Sequence, residues 1–440
     1  MKIETIKKGH LKRTVIIGVV AVLIISAIVL NFTRAKYRVT ESIPLVNGTI
    51  NYSLADLNVV ALYIDGVEAE ELDSNTTYTL DTTNSTCTYK DGTTIGNLTL
   101  NYDSDTGAFS ITPYTTKGTK CTLYFDEYNQ FTGRNYILSH YDTILTRNDF
   151  STTVTNTTTG TIYKSLDETQ YDNDGEVYYF AGNPTDNWVR FGGFYWRIIR
   201  INGNGSIRMI YQGTSANTNG EGTQIGTSLF NDSDSDNAYV GYMYGTVGSS
   251  NYETTHSNIN NSRVKEVIDQ WYQINLLDYT NYIDINAGFC NDRYPSTSNT
   301  SSNGLGGAGT NKTYYAPYFR VQINKTPSFK CTNNNDLFTA SGASNGNKAL
   351  LYSIGLITAD ETVYSGGVYY VENSDYYLYT GQNYWTISPH SALSAGMYYV
   401  GFTGFLNWTI YNSGIRPVIN LRGDLELVGS GTATDPYIVS

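Results

Sequence analysis

Residues 14–33 read TVIIGVVAVLIISAIVLNFT, an uncharged and almost wholly aliphatic run with no counterpart elsewhere in the chain. A helix rises 1.5 Å per residue, so this stretch spans about 30 Å, the hydrocarbon thickness of a bilayer. Lys2, Lys7, Lys8, Lys12 and Arg13 precede it. Basic flanks stay in the cytoplasm, which predicts a cytoplasmic tail at 1–13, a single transmembrane helix at 14–33 and an extracellular chain beyond it. The lipid bilayer is thus the first expected partner. The competing reading is a cleaved signal peptide. Against it, the run exceeds a usual apolar h-region and no A-x-A-like cleavage site follows.

The extracellular part is rich in Tyr, with 40 such residues, and poor in charge, with 15% Asp, Glu, Lys and Arg and a net charge of −12. Abundant aromatics and low charge density exclude a disordered chain. Tyr and Thr together with many polar turn residues favour short strands. Outside the N-terminus no basic cluster exists, which excludes nucleic acid as a partner. Cys87, Cys121, Cys290 and Cys331 all follow the apolar run, where disulfides persist. Four cysteines allow three pairings. The local one, Cys87 with Cys121 and Cys290 with Cys331, keeps each bridge inside one expected domain and is worth roughly 4 kcal/mol per loop. A zinc site is the rival, but there is no CxxC spacing and no nearby His.

Residues 34–50 read as a stalk. Over 51–128 short alternating segments are separated by turn signals such as Asp65-Gly66, and both TCTY around Cys87 and TKCTLYFD around Cys121 read as strands. The expected fold is an Ig-like β-sandwich bridged between two strands. Residues 129–177 read as a linker, with a short helix near 136–145 and a low-complexity stretch at 151–160. A second, α+β domain is expected over 178–422. FYWRIIRI, NGNG and SIRMIY form its hairpin, and Val264, Val267, Ile268, Trp271 and Ile274 recur at helical spacing after an N-cap at Asn261 or Ser262. Further strands are expected at 349–356, 368–371, 384–388, 397–402 and 416–421, and a small appended hairpin at 423–440.

WRIIRINGNGSIRMIYQG (196–213), the Trp271 helix, YWTISPHS (384–391) and GIRPVINL (414–421) occur in one order. As a set they resemble a family of uncharacterised surface proteins of Gram-positive bacteria. The closing block is similar to that of C-type-lectin-like domains of the formylglycine-generating-enzyme group. The resemblance covers about residues 178–422 and implies a C-type-lectin-like fold, with no activity attached. The oxidising chemistry of the formylglycine group uses a cysteine pair late in the domain, and no cysteine follows Cys331. The sugar-binding Glu-Pro-Asn or Gln-Pro-Asp signatures of calcium-dependent lectins are absent as well.

Three sets of residues are candidates for chemistry. Ser388, His390 and Ser391 lie close in sequence, but a strand turns adjacent side chains such as His390 and Ser391 to opposite faces, and a nucleophile and its base must meet. Asp232, Asp234 and Asp236 alternate in NDSDSDN, and Asp172, Asp174 and Glu176 flank a Gly; no cofactor is expected, a structural calcium ion being the alternative to plainly solvated acidic loops, and neither segment has the twelve-residue calcium-loop pattern. Tyr399, Phe405, Trp408 and Tyr411 crowd the stretch before GIRPV and are the expected ligand-binding residues, with Phe405 and Trp408 exposed. Trp196, Trp271 and Trp385 are expected in the core, and Arg416 as an ion-pairing or carbonyl-binding residue. The chain therefore reads as a non-catalytic binding or adhesion protein of the bacterial surface, with an external protein or glycan as partner. An extracellular enzyme and a structural surface component are the alternatives. If 14–33 is an uncleaved span, the purified protein keeps Met1 and needs detergent; N-terminal sequencing that begins near Lys36 would instead reveal a cleaved leader.

Overall fold

The computed structural model describes residues 42–46, 48–51, 57–73, 77–103, 107–112, 118–127, 131–155, 161–249, 251–295, 314–391 and 395–440. The expected tail and membrane span, and part of the stalk, lie outside the described residues. Among the described residues no helix is long and apolar enough to cross a membrane. Strand accounts for 34% and helix for 17%, so the chain is mainly β. It divides into two compact units between residues 129 and 130.

In the first unit a four-stranded sheet has the order Val67–Ala69, Leu57–Ile64, Thr119–Glu127, Tyr78–Thr88. Asp65 and Gly66 both take positive φ, 48° and 79°, the backbone a two-residue hairpin needs. Leu57–Ile64 and Thr119–Glu127 run parallel and the other pairs antiparallel. The hairpin Thr99–Asp103 with Ala108–Thr112 packs on this sheet, its Tyr102 ring edge-on to Phe125 at 4.9 Å. Leu62, Leu100, Phe109, Ile111, Leu123 and Phe125 share one core with both cysteines. Cys87 and Cys121 are bonded and sit directly opposite one another on adjacent strands. The bridge therefore staples neighbours within one sheet.

The second unit is built on two sheets. One runs Val418–Leu421, Ile207–Gly213, Phe194–Ile201, Tyr178–Phe180, Ile162–Lys164, Leu145–Thr146, with Trp188–Phe191 also paired to Phe194–Ile201. The other runs Thr227–Ser228, Ser413–Gly414, Tyr384–Ser391, Gly396–Val400, Leu406–Thr409. The expected hairpin forms around residues 202–205, closed by Asn202 N–H donating to Ser206 O at 2.8 Å. The helix Arg263–Asn275 begins where Ser262 Oγ accepts from Lys265 N. Val264, Ile268 and Tyr272 are buried, and half-buried Trp271 packs against Trp196, Phe194 and Tyr211. Ile274 departs from expectation and is 81% exposed. At 100° per residue it falls on the edge of the apolar stripe in the last turn. Cys290 and Cys331 are bonded.

The expected linker at 129–177 is corrected. Helix Thr132–Leu138 buries Ile137 in the main core, and Leu145–Thr146 and Ile162–Lys164 extend the larger sheet. Arg147 secures the polar part by donating to the carbonyls of Asp149, Thr152 and Val363. A Thr- and Asn-rich composition suggested a linker because its partners are far away in sequence. The terminal segment is likewise integrated: Leu427–Val428 pairs with Ile438–Val439, while Tyr437 is fully buried and its backbone bonds Trp188 and Arg190. The stretches 349–356 and 368–371 form isolated bridges and turns, with no regular strand. Further short helices form at Tyr252–Thr255 and Ala359–Tyr364, and a π-helical segment at Tyr318–Asn324.

Arg416 ties the two sheets together as a carbonyl-binding residue. Fully buried, it donates to Tyr211 O from Nε and Nη2, to Leu378 O from Nη1 and to Gln212 Oε1 at 2.6 Å, and lies over the Tyr384 ring. A lysine cannot reproduce that planar fork. Arg416→Lys is expected to leave buried acceptors unpaired and to cost about 3 kcal/mol in urea unfolding; an unchanged midpoint would contradict this role.

Candidate functional site

A dense gathering of titratable groups lies where the strands Phe194–Ile201 and Ile207–Gly213 meet the helix Ala359–Tyr364. Thr358 and Glu361 form a reciprocal cap, each side chain accepting from the other's backbone N–H. The Glu361 carboxylate then accepts from Arg200 Nε at 2.9 Å and lies 2.5 Å from Arg208 Nε. Arg200 also reaches Asp172 Oδ2 at 2.9 Å, and Arg320 bridges Asp360 and Asp292. Burial alone raises the Glu361 pKa, but Arg208 and Arg200 outweigh it and hold the carboxyl below its ordinary value. Burial pushes Arg208 down to about 10, against the pull of Glu361. Burial raises Asp292 despite Arg320. The slot left beside these groups, bordered by the Cys290–Cys331 bridge, has a volume of 40 Å³. That is room for roughly three waters, far below the ~300–1,000 Å³ of ligand pockets. These charges serve one another and the fold.

The acidic calcium candidates are spent in the same way or stand apart. Asp172 accepts from Asp174 N, Gly175 N, Gly203 N and Arg200, clamping its loop against the hairpin turn. A Cβ on Gly203 would lie 2.3 Å from Gly175 N, so only glycine permits that approach. Glu176 accepts from Lys164 and from the Tyr178 hydroxyl. Asp236 is buried and caps the 3₁₀ turn Asn237–Val240, accepting from Ala238 N and Gly248 N. Asp232 and Asp234 are exposed. Among the described residues no three His, Cys, Asp or Glu side chains gather as a metal-ligand set.

The four aromatic candidates separate into three places. Tyr399 and Phe405 share a surface patch, their rings 5.9 Å apart, together with exposed Phe402. Trp408 is 39% exposed but stacks on His390 at 4.8 Å and 12°. It covers a buried imidazole. Tyr411, at 74% exposure, borders a 230 Å³ groove. Leu229, Phe230, Ala395 and Ile410 make its apolar lining, and Tyr239 faces into it as well. Asp232 and Asp234 lie on the same groove. Two segments singled out separately, the acidic loop and the aromatic stretch, thus meet at one cleft. Tyr239, Ala395 and Ile410 carry no mark in the sequence that would have nominated them.

Ser388 and His390 do not form a dyad. Ser388 Oγ accepts from Ala359 N, while His390 is enclosed by Tyr314, Tyr318, Tyr398 and Trp408, with Nε2 3.3 Å from Gln322 Oε1. No family model, curated protein or solved structure matches the chain.

Burial pushes His390 down to about 3, and burial followed by Arg293 does the same to His256. Both are neutral when folded, whereas an unfolded histidine protonates near pH 6.5. Below that pH the unfolded state binds more protons, so stability falls on acidification until about pH 3. Between pH 7 and pH 5 each histidine is expected to cost about 2 kcal/mol. His390→Phe should lose one share of this slope in urea titrations at the two pH values; an undiminished slope would show that His390 is protonated in the fold.

Proposed function

We propose that the protein is a membrane-anchored, non-catalytic binding or adhesion protein of the bacterial cell surface, and that it engages an external protein or glycan at the groove beside Tyr411. The N-terminal apolar run with its basic flank supports the anchor. Two disulfides support an oxidising, extracellular setting. An Ig-like first unit and a C-type-lectin-like second unit belong to the same proposal. They rest on the strand patterns and on the motif resemblance.

The convergence of the acidic loop and Tyr411 on one cleft carries the reading. Loops on a rigid scaffold are where recognition usually resides. A flat exposed ring offers contact area at little entropic cost. The Tyr411 side chain has no role in the core, so its removal is a clean probe. Tyr411→Ala is expected to leave the melting transition unchanged and to weaken capture on a glycan and protein array by about tenfold. Undiminished capture by this variant would place recognition elsewhere. Trp408→Ala is the contrasting case: by uncovering His390 it is expected to cost roughly 1–3 kcal/mol of stability.

A further inference from the structure

Resting on the groove reading, we propose that its occupant is a lysine or arginine side chain presented by a basic segment of a partner protein. The lining of the cleft is amphipathic. Leu229, Phe230 and Ile410 line it with apolar surface, and Asp232 and Asp234 supply carboxylates at the same opening. An aliphatic stem ending in a cation matches both parts, the methylenes covering apolar surface while the charge remains near water. A neutral sugar can stack on the Tyr411 ring and hydrogen-bond the carboxylates, but it brings no charge to neutralise them. Tyr411 adds a ring face to which a cation is attracted.

The charges around the cleft point the same way. No Lys or Arg contributes to its lining. Among the described residues the nearest basic partner is Arg263, whose Nη1 lies 3.6 Å from Asp232 Oδ1, with both side chains more than half exposed. Such a loose, solvated pair is worth little and can be exchanged for an incoming cation. Asp234 has no ion-pair partner among the described residues and is exposed. The chain's net charge of −12 favours encounter with basic partners at low salt.

The test uses the full chain in non-ionic detergent and three fluorescent probes: a capped peptide of alternating Gly and Lys, the same peptide with every lysine Nε-acetylated, and a neutral N-acetylglucosamine oligomer. Anisotropy is read at about 50 and about 500 mM salt, where the Debye length falls well below the pair separations that matter at long range. The lysine peptide is expected to bind, to weaken at high salt and to lose roughly three- to fivefold in Asp234→Asn. Arg263→Ala is expected to strengthen binding, because Asp232 is released from its own cation; a merely structural role for Asp232 gives no gain. Equal binding of the acetylated peptide or of the sugar, still weakened by Tyr411→Ala, overturns the cationic occupant and leaves the groove as the binding site. Absence of any Tyr411-dependent binding by all three probes, together with unchanged capture on the array, overturns both.

Discussion

Glu361 holds the second unit together. Its carboxylate caps its own six-residue helix and accepts the guanidinium groups of two neighbouring strands. Burying an isolated carboxylate costs several kcal/mol, and the attraction of two arginines at hydrogen-bond distance offsets that cost only while all three stay in place. The arrangement tolerates little change. Loss of one member leaves an uncompensated charge in the interior, which is why such a network fixes one relative placement of helix and sheet. Arg320 with Asp292 and Asp360, and Arg293 with Asp336, extend the same device through the unit.

The chain is poor in charge overall, yet several of its arginines, among them Arg197, Arg208, Arg293 and Arg416, are buried. Arg197 shows how far this goes: it donates to Asn187 Oδ1 and Pro184 O while lying over Trp188. Burial brings its pKa down to about 9. Aromatic ring faces and carbonyls serve as partners for such buried cations, as for Arg208 over Phe289 and Arg416 over Tyr384. Most carboxylates remain on the exposed surface, and at the Tyr411 cleft two of them, Asp232 and Asp234, adjoin apolar lining.

The same economy explains why the aromatic stretch near the C-terminus is not one binding face. In the ribbon formed by Gly396–Val400 and Leu406–Thr409, Tyr398 lies opposite Trp408 and Tyr399 opposite Asn407. Alternation sends Trp408 and Tyr398 toward His390, and Tyr399 to the other side. Tyr411 lies beyond the strand end and is free of that constraint.

The sequence by itself determined the features that depend on neighbours in the chain. Examples are the N-terminal apolar run, the Asp65-Gly66 and 202–205 turns, the Ser262 cap and the period of the Trp271 helix. Turn chemistry and periodicity are local, and local patterns are readable. It also favoured the local disulfide pairing, because each bridge then stays inside one expected domain. The tertiary structure decided everything that depends on distant partners. Arg200 and Glu361 are 161 residues apart and carry no shared motif. Residues 129–177 looked like linker because their anchors, such as Val363 O for Arg147, are supplied from elsewhere. Whether an exposed-looking Trp covers a histidine, and whether an acidic loop meets a tyrosine across a cleft, are consequences of how the sheets pack, and no periodicity encodes them.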